Sequence, residues 1–124
     1  MTKKEIHRKV EDWITILGLG HWSISIVFDE PKVAKNIGSY EEMAFCDALP
    51  QYLTATIHFR PSKLKYINED DIIHELLHCV TAEFVGYANA NKKDKVWLDY
   101  FNEKLVSHLT QTYSNHYIWL KNHK

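Results

Sequence analysis

The chain has 124 residues, of which 45% are hydrophobic and 25% charged, a composition that excludes collagen-like, disordered and disulfide-scaffold proteins. Fifteen basic residues stand against sixteen acidic ones, so there is no overall electrostatic reason to bind nucleic acid or anionic lipid. No apolar run approaches the roughly 18 residues that cross a bilayer, and no signal-peptide pattern is present. We expect a cytoplasmic protein with no membrane or nucleic-acid partner. Without repeats or linkers, residues 1–124 are predicted to form one domain.

The first segment of the chain is predicted to be a helix. Thr2 followed by Glu5 fits a capping box, and Gly18 and Gly20 provide an end. Between these signals, apolar residues recur at helical spacing: Ile6, Val10, Trp13, Ile14 and Leu17.

Three short strands are predicted next. Apolar residues alternate over 22–28, Met43 to Asp47 gives a second short strand, and Tyr52 to Phe59 gives a third that Pro61 ends. The polar segment Lys32 to Glu42 is predicted to be a turn region. Two cysteines are too few for a disulfide framework, so we expect both of them to be reduced core thiols: Cys46 and Cys79.

Two long helices follow the strands. Asn68 offers an N-cap for the first, which we expect to end near Val85 because Gly86 is a natural stop before a loop. The second begins at about Asp94, with a break or bend predicted near Ser114. The order helix, strands, helix, helix predicts an α+β fold with helices packed on a small three-stranded sheet, for which a mixed arrangement is one option.

The first of these long helices contains the pattern H-E-x-x-H at His74-Glu75-Leu76-Leu77-His78. Because four residues make just over one helical turn, His74 and His78 project from the same face and can bind one ion. Neutral imidazole nitrogens suit Zn²⁺. Glu75 lies about 100° round the helix from His74, where it can accept a proton from metal-bound water.

A catalytic zinc site usually takes three protein ligands, and Glu103 in the next helix is the best candidate for the third. A buried carboxylate there would be expensive without a metal or a partner. The alternatives are an exposed Glu103 paired with Lys104 or Ser107, and His108 as the rival ligand. His108 lies five residues on, about 140° round the helix, so the two residues do not easily serve one site.

These residues resemble the gluzincin clan of zinc metallopeptidases, and more closely the small zincin-like domains encoded in bacterial and phage genomes. The resemblance lies in the H-E-x-x-H helix followed by Asn102-Glu103-Lys104-Leu105-Val106, and in the order of elements over about residues 5–113. It implies a zincin-like fold, with an N-terminal helix, a small sheet, the H-E-x-x-H helix and a C-terminal helix that supplies the third ligand.

The resemblance also implies an activity, that of a zinc-dependent metallopeptidase. In that case His74, His78 and Glu103 are the ligands, Glu75 is the general base, and Tyr52 to Phe59 is an edge strand that binds an extended peptide beside the cleft. Where many gluzincins carry an aspartate that orients a ligand histidine, this chain has Ser107. The group that stabilises the transition state stays open among Tyr87, Tyr100, His108, Tyr113 and His116.

Two other functions compete with the peptidase. One is a non-catalytic, zinc-stabilised binding module that keeps the fold and the metal. The other is a nucleic-acid-associated protein, against which the neutral charge argues. The presence of Glu75 favours the peptidase over the binding module, because zinc binding alone does not need that residue.

Overall fold

A computed structural model describes residues 1–30, 43–90 and 95–123, and within them the backbone alone of 83–90 and 95–101. The predicted turn region from Lys32 to Glu42 lies outside these residues. The predicted α+β class is confirmed. In chain order the elements are α1 (Lys3–Ile16), β1 (Ser23–Phe28), β2 (Ala44–Leu49), a 3₁₀ turn (Pro50–Tyr52), β3 (Thr54–Phe59), a second 3₁₀ segment (Pro61–Tyr66), α2 (Glu69–Ala90) and α3 (Lys95–Asn122).

Helix α1 begins and ends at the residues that the sequence predicts. The Thr2 hydroxyl accepts a hydrogen bond from the Glu5 backbone N–H, and the Glu5 carboxylate accepts one from the Thr2 N–H. At the other end Gly18 adopts a φ of 70°, and the Leu19 N–H donates back to the Ile14 carbonyl at 2.8 Å. This is the hydrogen bonding of a Schellman motif, which uses a glycine because its left-handed backbone strains other residues.

The three strands form one mixed sheet in the order β1-β3-β2, with β1 parallel and β2 antiparallel to β3. The prediction that Tyr52 to Phe59 is an edge strand is therefore wrong. The chain passes from β1 through β2 before β3 pairs with both of them, so the last strand in sequence is the central one in space. The burial of the strands agrees with this order. Ala55, Ile57 and Phe59 of β3 are buried, whereas the inward-facing residues of β1 and β2 are only partly buried.

Helix α2 lies at the centre of the molecule. It packs against α1, β2 and α3, and it carries four residues with at most 1% of their surface exposed: Ile72, Ile73, Leu76 and Leu77. The rest of the fully buried core comes from α1, the inner face of β3 and α3: Ile6, Val10, Trp13, Ile57, Phe59 and Val106. The H-E-x-x-H pattern is thus part of the most tightly packed element of the fold.

Both long helices are more continuous than predicted. Helix α2 begins as expected, since the Asn68 side chain accepts from the Asp71 N–H and the Asp71 carboxylate accepts from the Asn68 N–H. It then passes through Gly86 to Ala90, so the predicted stop at Gly86 is wrong. Helix α3 is one element from Lys95 to Asn122, so it does not break near Ser114, and the bend that was the other option there stays a prediction. Over the described residues, no helix combines the length and the apolar character that crossing a membrane requires.

Candidate metal centre

Three side chains with metal-binding atoms meet where α3 packs on α2. His74 Nε2 lies 3.3 Å from Glu103 Oε2, and His78 Nε2 lies 3.1 Å from Glu103 Oε1. One ligand atom from each residue lies within 4.8 Å of the other two. The structure therefore brings together the three residues that the sequence analysis selected as metal ligands, in a group that could hold a metal ion.

The packing of the two helices explains this convergence. Ile73 and Leu77 directly precede the two histidines and are fully buried. Their burial determines which face of α2 points into the core and therefore where the histidines point. On α3, Val106 is fully buried and lies three residues after Glu103, on the same side of the helix. The histidines are consequently half-buried, whereas the Glu103 side chain is 59% exposed. The group lies at the rim of the interface and is open to solvent on one side.

The donor atoms are close enough together to share one ion. His74 Nε2 and His78 Nε2 each contact a different oxygen of Glu103, and one donor atom from each of the three residues lies within 4.8 Å of the other two. Two imidazoles and one carboxylate are also a donor set that catalytic zinc sites use. The residues present thus fit the ion that the sequence predicts.

The charges of the group favour an ionised carboxylate. Hydrogen bonds from His74 and then from His78 hold the pKa of Glu103 well below its usual range, against the opposing effect of burial. The pKa of the His74 imidazole is raised, first by its hydrogen bond to Glu103 and, less strongly, by the charge of Glu75. Burial opposes this rise. Glu103 is therefore deprotonated at neutral pH, as a metal ligand must be.

Glu75 is buried on the side of α2 that faces the edge strand β2. Its side chain is 7% exposed, and it lies one turn before Cys79, whose sulfur is 3.9 Å from the sulfur of Cys46 on β2. The pKa of the Cys46 thiol is raised by its hydrogen bond with Cys79 and by burial, and the charge of Glu75 raises it further. Glu75 is thus a buried carboxylate next to a candidate ligand and oriented towards β2.

Asn102 contacts a candidate ligand in a way that the sequence analysis did not predict. Its amide nitrogen lies 3.4 Å from His78 Nδ1, and its amide oxygen accepts a 2.8 Å hydrogen bond from the Thr81 hydroxyl. Ser107, which stands where many gluzincins carry the orienting aspartate, is exposed. The only sequence signal for Asn102 is that a polar residue directly precedes Glu103. That signal becomes specific only when the packing of α3 on α2 is known.

Three of the remaining candidates, which lie on the described part of α3, do not join the group. His108 is exposed on α3, and His116 is about 20 Å further along that helix than Glu103 and stacks on Trp119. Tyr113 is 38% exposed, about 15 Å along the helix from Glu103. The side chains of Tyr87 and Tyr100 lie outside the described part of the chain.

Comparison of the chain with protein-family models, with curated proteins and with solved structures finds no match. The interpretation of this centre therefore rests on its own residues and their geometry.

Proposed function

We propose that the protein is a zinc-dependent metallopeptidase of the zincin type, in which His74, His78 and Glu103 bind zinc and Glu75 is the general base. The observation that carries the proposal is the convergence of three ligand atoms from α2 and α3 beside a buried carboxylate. A metal site that only stabilised the fold would need the three ligands. It would not need a buried, ionisable residue directly after the first of them.

The chemistry follows from the positions of these residues. Zinc supplies a Lewis acid that polarises a peptide carbonyl and makes water more acidic. Glu75 follows His74 directly, about 100° round the helix, so its carboxylate does not share the ligand face of α2. In the proposed reaction it takes a proton from a water molecule beside that face and delivers the proton to the leaving amine.

The sheet suggests where a peptide substrate binds. Strand β2 packs on α2, and within the described residues it pairs only with β3, so its outer edge offers backbone donors and acceptors. An extended peptide can add to such an edge by backbone hydrogen bonds. We therefore assign substrate binding to β2 in place of 52–59, because β3 has a neighbour on both sides. Phe45 and Leu49, which are 42% and 45% exposed, are available for contacts with substrate side chains.

The test is digestion of a diverse peptide library by the zinc-loaded wild type and by Glu75→Gln protein, side by side. Glutamine keeps the shape of the side chain and cannot act as a base. We expect the variant to keep its fold and its zinc and to lose turnover by roughly 10²–10⁴-fold, the usual contribution of a positioned general base.

Two outcomes contradict the proposal. Equal cleavage by both proteins would show that Glu75 is not the base. A zinc-loaded wild type that cleaves nothing in the library would instead support the alternative function, a zinc-stabilised binding module. In such a module, Glu75→Gln leaves stability and metal content unchanged as well.

A further inference from the structure

The two cysteines of the chain face each other across the contact between the sheet and α2. Cys79 is 2% exposed on α2, Cys46 is half-buried on the inner face of β2, and their sulfur atoms are 3.9 Å apart. Both are free thiols. A disulfide bond requires the sulfur atoms to approach to about 2.05 Å. Closing the remaining distance requires the cysteine side chains, the edge strand β2, or both to move.

The surroundings of the pair favour a reaction within one chain over a reaction between chains. Cys79 is enclosed in the core, so a second protein molecule cannot reach it. Cys46 is only partly buried, so of the two thiols it is the one that a small oxidant reaches more easily. The more accessible thiol is thus next to a buried one that can complete the bond.

We propose that Cys46 and Cys79 are a redox modification site that forms an intramolecular disulfide on exposure to hydrogen peroxide. In the first step the Cys46 thiol loses its proton, which its raised pKa makes slow, and the thiolate attacks the peroxide; the sulfur becomes a sulfenic acid, and the hydroxide that leaves takes up the proton as one water. In the second step the Cys79 sulfur displaces the hydroxyl of that sulfenic acid as a second water. Overall, two thiols and one peroxide give one disulfide and two waters, with two electrons passed from the sulfur atoms to the peroxide.

The bond would join two elements covalently that already contact each other at this point. Cys46 belongs to the edge strand β2, and Cys79 directly follows His78 on α2. Oxidation would therefore fix the edge strand to the helix that carries the metal-binding histidines. The inference stands independently of peptidase activity, because it depends only on the two thiols and their spacing.

The test treats the folded, zinc-loaded protein with hydrogen peroxide and follows intact mass, free thiols and Tm. We expect the monomer to lose two hydrogen atoms and both thiols, and its Tm to rise by roughly 5 °C or more, since a cross-link restricts the unfolded chain. Dithiothreitol should reverse all three changes. Cys46→Ala protein is the matched control, because alanine already occupies the neighbouring inward positions of β2. It should show neither the mass loss nor the rise in Tm.

Other products would overturn the proposal. These are a gain of oxygen atoms without loss of both thiols, a disulfide-linked dimer of two chains, or thiols that survive peroxide under conditions that oxidise glutathione. If peroxide raises the Tm of Cys46→Ala protein as much as that of the wild type, the disulfide is not the cause of the rise. Cys79→Ala protein provides a second check, because its remaining thiol has no partner in the chain.

Discussion

Asn102 on α3 contacts two residues of α2 through its amide group, and one of these residues is a candidate metal ligand. It contacts His78 Nδ1 on α2, and it accepts the hydrogen bond of Thr81 one turn later on the same helix. A histidine that binds metal through Nε2 carries its proton on Nδ1 and needs an acceptor there. In this structure the amide nitrogen faces Nδ1, and the amide oxygen is bonded to Thr81. Holding a metal-bound His78 would require the amide to turn over, so that its oxygen accepts from Nδ1–H and its nitrogen donates to the Thr81 hydroxyl.

The prediction that follows concerns metal affinity. Asn102→Ala should weaken zinc binding by about 10–100-fold, the usual effect of removing a group that orients a metal-binding histidine. Competition with a chromogenic chelator measures this change. Ser107→Ala is the matched control on the same helix and should bind zinc like the wild type, because Ser107 is exposed. Equal affinities for the wild type and Asn102→Ala would contradict the orienting role.

The residues of the centre differ in how well sequence predicts them. His74, Glu75 and His78 follow from helical spacing alone, since residues four apart must share a face. Glu103 was selected on the expectation that a carboxylate there is buried and needs a partner; it does meet both histidines, although its side chain is 59% exposed. Asn102 and Thr81 could not be selected, because their hydrogen bonds depend on the register in which α3 packs against α2, and no local pattern encodes that register.

At the scale of elements, the end of α1 depends on the backbone of one glycine. Gly18 has a φ of 70°, whereas Gly20 has no such left-handed conformation, and a Cβ would meet nothing within 4 Å at either position. Gly18→Ala should therefore lower the free energy of unfolding by about 1 kcal/mol through backbone strain alone. Gly20→Ala is the control and should be close to neutral. Urea unfolding of the two variants checks the prediction, and equal losses of stability would contradict it.

The elements also show where local signals are insufficient. The first turns of α1 and α2 can be identified from the sequence, because each begins with reciprocal hydrogen bonds between two residues that are only three apart in the chain. Gly86 misled the prediction because a glycine costs a helix only about 1 kcal/mol, which the packing of α2 offsets. The spatial order of the strands was missed for a different reason. Alternation of apolar residues reveals that a strand exists and which face is buried, but not which strands are its neighbours.

At the scale of the whole molecule, α3 is attached along its length by contacts of different kinds. Near its middle it buries Val106 and Thr110, and further on Tyr117 packs edge-on against Trp13 of α1 at 5.2 Å. Trp13 in turn donates a 2.8 Å hydrogen bond to Glu69 at the start of α2. A metal bound by His74, His78 and Glu103 would add a bond between α2 and α3 on the solvent side of these contacts.

Removing the metal should therefore destabilise the whole protein. Ligand binding at a free concentration 1,000-fold above the Kd stabilises a fold by roughly 4 kcal/mol, so chelation of zinc should lower the Tm by roughly 10 °C or more. Differential scanning calorimetry with and without a chelator measures the shift. His74→Ala protein is the control, and its Tm should not respond to the chelator. A wild-type Tm that is equally insensitive would contradict a structural contribution from the metal.

The most direct test of the central claim is the zinc content per chain after dialysis against a moderate chelator. We expect one zinc ion per chain for the wild type and for His108→Ala, because His108 is exposed and lies outside the group. Glu103→Gln should lose its zinc under the same conditions, since the amide keeps the shape of the side chain but not its negative charge. Zinc retained by Glu103→Gln and lost by His108→Ala would show that the centre described here is not the metal site.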